Sequence, residues 1–214
     1  MARLCVLGGT GYAGSAVVAE GVRRGHQVTA VSRTAPAEPM PGVTYLTASV
    51  LDEGTLEQAV SGADVVFEAL SPRGDMAGKL EPVITRLIEL AGERGFRLGV
   101  LGGASSLLVQ EGGPRLFDVS PLPPEVRPEV EYGMAKLDEF KATDENVDWF
   151  YISPAAEFGA WVPSQATGRY RTTDDVLLRG PDGRSEISAA DLAIAVLDEI
   201  EQPAHRRRRF HVAH

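Results

Sequence analysis

The stretch RLCVLGGTGYAGS, Arg3 to Ser15, decides the fold. Leu4, Cys5, Val6 and Leu7 form an uncharged apolar run, the pattern of a central parallel strand buried on both faces. The run breaks at Gly8, and glycines recur at 11 and 14 before small residues suited to a helix. Gly8 permits a sharp turn at the strand end. Gly11 lets backbone approach a pyrophosphate with no Cβ in the way, and Gly14 lets the helix pack close to the sheet. Thr10 and Tyr12 stand between these glycines and share the same cradle. The helix N-terminus then turns its free N–H groups and positive dipole end towards the phosphates.

The surroundings match that reading. An apolar helical stretch (Ala16, Val17, Val18, Gly21, Val22) leads to a second strand at His26–Ser32, giving a strand–helix–strand unit of about thirty residues, the size expected of a dinucleotide-binding unit. Arg33 follows at the strand end, 19 residues beyond Gly14. An acid here would bind the ribose hydroxyls of NAD, whereas an arginine presents a fixed fork of donors to the 2'-phosphate of NADP. With Ser32 beside it, Arg33 points to NADPH as the cofactor, NADH remaining possible; the alternative is a solvated loop arginine.

At 214 residues, 43% hydrophobic, the chain is long enough for one substantial core without metal or disulfide staples. A single domain over 1–214 is expected. The formal charge of −9 repels nucleic acid and anionic membranes, so a small molecule is the expected partner and the chain is read as cytoplasmic, monomeric or homodimeric. No apolar run approaches the length of a membrane span. Cys5 is the only cysteine and reads as a small core residue, and the four histidines have no ligand spacing with cysteines or acids, so no metal is expected.

Further along, Thr34–Gly42 reads as a surface loop and Val43–Ala48 as a third strand. Asp52 is a candidate for the cofactor's adenosine end or, alternatively, the cap of a helix over Glu53–Ser61. A fourth strand, Ala63–Leu70, places Ala69, Leu70 and Ser71 at a carboxyl end, where open α/β sheets bind ligands, so these three should flank the nicotinamide ribose. An amphipathic helix over Met76–Gly95 and a fifth strand over Arg97–Leu101 follow. The latter ends in Gly102-Gly103-Ala104-Ser105-Ser106, again small residues and hydroxyls at a carboxyl end. Val109–Pro128, rich in Gly and Pro, reads as a loop over the site.

The next helix contains Tyr132-Gly133-Met134-Ala135-Lys136. Residues four apart share a helix face, so the Lys136 ammonium can lower the pKa of Tyr132 while holding the nicotinamide ribose. A tyrosine tuned in this way can protonate a carbonyl oxygen as hydride arrives. The alternative is a half-buried packing face. Ser105 and Ser106 are the hydroxyls expected at the substrate, and Phe158 and Trp161, in the irregular segment after a sixth strand starting at Val147, are candidates for a substrate wall. Val176–Leu178 reads as a short strand, Ser188-x-x-Asp191 as a helix cap, and Arg206–Arg209 as a solvated, oligomer-facing or helix-end run.

The glycine loop, GGASSL, DWFYISPAAEF, TGRYRTTDDVLL and the C-terminal SEISAADLAIAVLDEIEQPAHRRRRF resemble the atypical short-chain dehydrogenase/reductases of the NAD(P)H-flavin reductase group, akin to NmrA-like and biliverdin reductase B-like proteins. The resemblance implies a Rossmann-type doubly wound parallel sheet with a small C-terminal cap, its cap segments near 109–128 and 157–185. In the extended branch of the superfamily the serine matching Ser106 hydrogen-bonds the substrate oxygen. The group does not generally carry the Tyr-x-x-x-Lys pair in this helix, so Tyr132 and Lys136 rest on their own spacing. The expected function is NADPH-dependent hydride transfer to a small carbonyl-bearing or conjugated substrate. Its alternatives are a flavin or quinone reductase without a tyrosine acid, a non-catalytic NADP sensor, and an epimerase.

Overall fold

In a computed structural model that describes residues 1–214, the opening apolar run is strand β1 (Arg3–Leu7), and Leu4 to Leu7 are all buried. Helix α1 (Tyr12–Arg23), β2 (Gln27–Ser32), β3 (Val43–Thr47), α2 (Thr55–Ala59) and β4 (Val65–Glu68) complete the first half. The second half runs α3 (Leu80–Arg94), β5 (Arg97–Leu101), α4 (Leu116–Val119), α5 (Arg127–Lys141), β6 (Trp149–Ser153), β7 (Arg171–Thr173), α6 (Ala189–Glu201) and β8 (Arg208–Ala213).

The strands form one sheet in the order β3-β2-β1-β4-β5-β6-β8-β7, parallel except for β7 at the edge. This is a doubly wound Rossmann sheet, and its order reverses between β1 and β4. Alternate side chains enter two cores. On one face Cys5, Leu7 and Val66 meet α3 and α5 through Ile84, Leu87 and Phe140. On the other, Leu4, Val6 and Phe67 meet α1 and α6 through Val17, Leu192 and Val196. Both faces are covered, which is why β1, β4 and β5 carry continuous apolar runs rather than alternation. No helix is long and apolar enough to cross a membrane.

Several expectations shift. Asp52 caps no helix: Gly54, in a left-handed conformation, starts α2 at Thr55, and Asp52 is left exposed with its carbonyl accepting from the Thr55 N–H. The segment 74–76 is a single 3-10 turn, so α3 begins at Leu80 rather than Met76. The Gly- and Pro-rich stretch holds the one-turn helix α4, and α5 starts at Arg127 with Pro128 in its first turn, where the missing N–H costs nothing. The short late strand is Arg171–Thr173, and Val176 makes one isolated bridge to Leu108. The Ser188 cap forms as read, its Oγ accepting from the Asp191 N–H at 3.0 Å.

The arginine run is not simply solvated. Arg208 and Arg209 lie inside β8, and Arg209 is buried. A strand alternates its side chains, so neighbouring arginines of one run meet opposite environments.

Candidate functional site

The glycine loop works through contacts that any side chain would break. Gly8 has φ +81° and sits under Ala69, whose carbonyl oxygen would be 2.6 Å from an added Cβ. At Gly14 a Cβ would meet the Gly8 oxygen at 2.2 Å, so this glycine lets α1 press onto the loop itself. Gly9, missing from the sequence reading, fits against Ala30 of β2, where an added Cβ would be 2.7 Å from the alanine Cβ. Around Gly11 only the Gly8 oxygen is near, at 3.2 Å, leaving its outer side open.

Gly11 is the N-cap of α1 and offers no side-chain acceptor. The Gly11 N–H donates to Gly8 and the Ser15 N–H to Gly11. The N–H groups of Tyr12, Ala13 and Gly14 between them have no acceptor within the chain. Three outward donors at the positive end of a helix, beside a surface without side chains, are what a pyrophosphate requires. The residues present therefore fit a dinucleotide.

A cleft of about 590 Å³ opens from this loop across the carboxyl ends of β4, β5 and β6. It brings together Gly11 and Tyr12, the candidates Ala69, Leu70 and Ser71, the hydroxyls of Ser105 and Ser106, and the aromatic rings of Phe158 and Trp161. Tyr132 and Lys136 also border it. Phe117 of α4 and Tyr151 of β6, not singled out by sequence, add two more rings. Tyr151 runs beneath Gly102, where a Cβ would meet its ring at 1.8 Å, and its hydroxyl donates to the Gly133 carbonyl at 3.0 Å. At the mouth, the Arg73 guanidinium lies 5.0 Å from the Trp161 ring centre while its Nε bonds Glu129 at 2.6 Å. Arg73 thus links the loop after β4 to α5 and to the segment after β6.

Ser32, Arg33, Thr10 and Asp52 do not border this cleft. Ser32 ends β2 and Arg33 follows it, on the other side of the glycine loop, where the adenosine half of a dinucleotide would run. Arg33 is half exposed and touches only Asp75, at 3.5 Å, so its fork is not committed within the protein. The Ser32 hydroxyl donates to the Thr34 carbonyl at 2.7 Å. Asp52 is exposed beyond β3.

The structure gives Lys136 partners other than the Tyr132 hydroxyl that its helical spacing suggested. Lys136 is buried, and its Nζ donates to Glu68 Oε2 at 2.7 Å and to the Leu101 carbonyl at 3.0 Å. Glu68 is fully buried at the end of β4, its other oxygen accepting from the Leu70 N–H at 2.8 Å. The ammonium therefore neutralises a carboxylate instead of tuning a phenol. Burial first, and then the Glu68 charge, push the Tyr132 hydroxyl above its ordinary value, and that hydroxyl is buried without a hydrogen-bond partner. A lone acid inside the strand VVFE was the available signal, since a charge in a buried strand demands a partner.

Residues 8–203 match the NAD(P)H-binding family. The chain is 34% identical to the Bacillus subtilis protein YwnB, itself uncharacterised, over 212 residues that make up 98% of this chain and 97% of that one. Among solved structures it is similar to a Bacteroides thetaiotaomicron protein whose name proposes an epimerase, at 31% identity and a TM-score of 0.86, covering 100% of this chain and 97% of the other. It is also similar to a Streptococcus pneumoniae protein whose name proposes an NADH-flavin reductase, at 29% identity and a TM-score of 0.82, covering 100% and 99%. The chain belongs to the NAD(P)H-binding family.

Proposed function

We propose that this protein is an NADPH-dependent reductase that delivers hydride to a flat conjugated acceptor of the quinone or flavin type. The observation that carries the reading is the Lys136–Glu68 pair: the ammonium hydrogen-bonds a carboxylate rather than the nearby Tyr132 hydroxyl, which is buried without a partner and hard to ionise. Reduction of a simple ketone needs a proton donor at the oxygen as hydride arrives. A conjugated ring spreads the incoming charge and takes its proton from water afterwards. Rings at the walls of the cleft, Phe117, Phe158 and Trp161 among them, suit a planar acceptor. The similarity to a protein whose name proposes NADH-flavin reduction supports the same choice.

In this reading the backbone N–H groups at Tyr12–Gly14 hold the pyrophosphate, and the Arg33 fork takes the 2'-phosphate. Ala69, Leu70 and Ser71 flank the nicotinamide ribose. Lys136 has one N–H left after Glu68 and Leu101, and that N–H would be the donor to the ribose hydroxyl. Ser105 and Ser106 bond the acceptor's polar edge. The bound cofactor supplies the hydride. The test is a panel of acceptors under NADPH: oxidation with quinones and free flavins well above that with aliphatic aldehydes and ketones supports the reading, and the reverse order refutes it.

A further inference from the structure

Of the four arginines at 206–209, three serve the scaffold. Arg206 pairs with Asp148, Arg207 donates to the Thr143 carbonyl at 2.8 Å and to the Val147 carbonyl at 3.0 Å, and Arg208 bonds Asp174 at 2.9 Å. Arg209 differs. Its side chain is 6% exposed, its Nε donates to Asp175 Oδ1 at 2.9 Å, and its Nη1 donates to Ser106 Oγ at 2.6 Å. Ser106 borders the cleft and Arg209 does not, so the guanidinium reaches the serine from behind.

Backbone fixes the same triangle. The Leu108 N–H donates to the Asp175 carbonyl and the Leu177 N–H to the Leu108 carbonyl, both at 2.8 Å, which stitches the segment after β5 to the one after β7. Arg209 is paired with Tyr151 across the β6–β8 ladder, so its side chain lies on the same face of the sheet as that cleft-lining ring. A guanidinium has donors only, so Ser106 Oγ must accept from it. The serine proton is then left to donate, and an oxygen that accepts from a cation is a stronger donor on its other side.

We propose that Arg209 is a positioning residue that makes Ser106 the hydrogen-bond donor to the acceptor's oxygen, the atom on which negative charge gathers as hydride arrives. The inference rests on the reductase reading above. Hydride brings two electrons and one hydrogen from NADPH, which leaves as NADP+. The acceptor's π bond opens onto its oxygen, and that oxygen takes a proton from water. In this site the arginine behind the serine occupies the role that a tuned tyrosine would otherwise fill, stabilising charge with a donor already in place.

The test reads the charge directly, without turnover. 4-Nitrophenol is bound to the protein loaded with NADP+, and its ionisation is followed by phenolate absorbance across pH. In the wild type the bound probe ionises about one pH unit or more below the free phenol, a tenfold or larger shift. Ser106→Ala and Arg209→Met each abolish most of that shift, the double variant loses no more than the larger single loss, and Arg209→Lys restores part of it. Asp175 is 59% exposed, so water takes over its carboxylate in Arg209→Met and folding survives. An undiminished shift in Arg209→Met, additive losses in the double variant, or a probe that fails to bind or to shift in the wild type overturns the proposal. Absence of NADPH oxidation by quinones and flavins alongside an intact probe shift would overturn the reductase reading alone.

Discussion

Replacing Lys136 with methionine isolates the interaction on which the reading of the site turns. The substitution keeps the length and apolar body of the side chain but removes two hydrogen bonds, to Glu68 at 2.7 Å and to Leu101 at 3.0 Å. Glu68 is fully buried, and only the Leu70 N–H would remain to it. Breaking a buried pair by removing one partner costs about 3–5 kcal/mol, because the remaining charge is uncompensated. For a chain of this size each kcal/mol lowers Tm by about 2–4 °C, so the variant should melt about 6–20 °C below the wild type. Urea unfolding at pH 7 measures the loss directly. Adding Glu68→Gln to Lys136→Met removes the orphaned charge while keeping an acceptor for Leu70, so the double variant should recover more than half of the deficit. A loss under about 1 kcal/mol, or a double variant less stable than Lys136→Met alone, would refute the claim that Lys136 is committed to Glu68.

Arg33→Ala should weaken NADPH binding about 10- to 100-fold and leave NADH binding unchanged, as isothermal titration would report, because hydrogen bonds to charged groups contribute about 1.5–3 kcal/mol. Gly14→Ala places a methyl 2.2 Å from the Gly8 oxygen, so cofactor titration should find no saturable binding and the melting temperature should fall. His211 is buried with Nδ1 on the Ser153 carbonyl at 2.9 Å, and burial lowers its pKa to about 4. Between about pH 6.5 and 4 the unfolded chain therefore binds the proton and the folded chain does not, so stability falls as pH falls through that window. Urea midpoints measured from pH 7 to 4 should drop more steeply in the wild type than in His211→Gln.

The parts of the fold that depend on local sequence were legible. Continuous apolar runs identified β1, β4 and β5, the spacing of Ile84, Leu87 and Ala91 identified α3, and Ser188 and Asp191 identified the start of α6. What was not legible depends on partners distant in sequence. Lys136 and Glu68 are 68 residues apart, and Ser106 and Arg209 are 103 apart. Helical spacing put Lys136 beside Tyr132, and it is, with the Nζ 5.6 Å from the ring centre. A buried carboxylate on another element then decided what the ammonium does. Likewise Arg209 looks like its neighbours in the run, and only strand alternation separates it from them. The short strand fell at Arg171–Thr173 because pairing with β8 outweighed the apolar character of Val176–Leu178.

In the proposed reductase, hydride transfer does not depend on the Tyr132 hydroxyl. Single-turnover oxidation of bound NADPH by a 1,4-quinone, in the wild type and in Tyr132→Phe, tests it most directly. Rates within about twofold of each other are expected, with a variant at least as stable as the wild type, since the change removes a buried hydroxyl that has no partner. A fall of about 100-fold or more in Tyr132→Phe, the size expected from loss of a general acid, would contradict it.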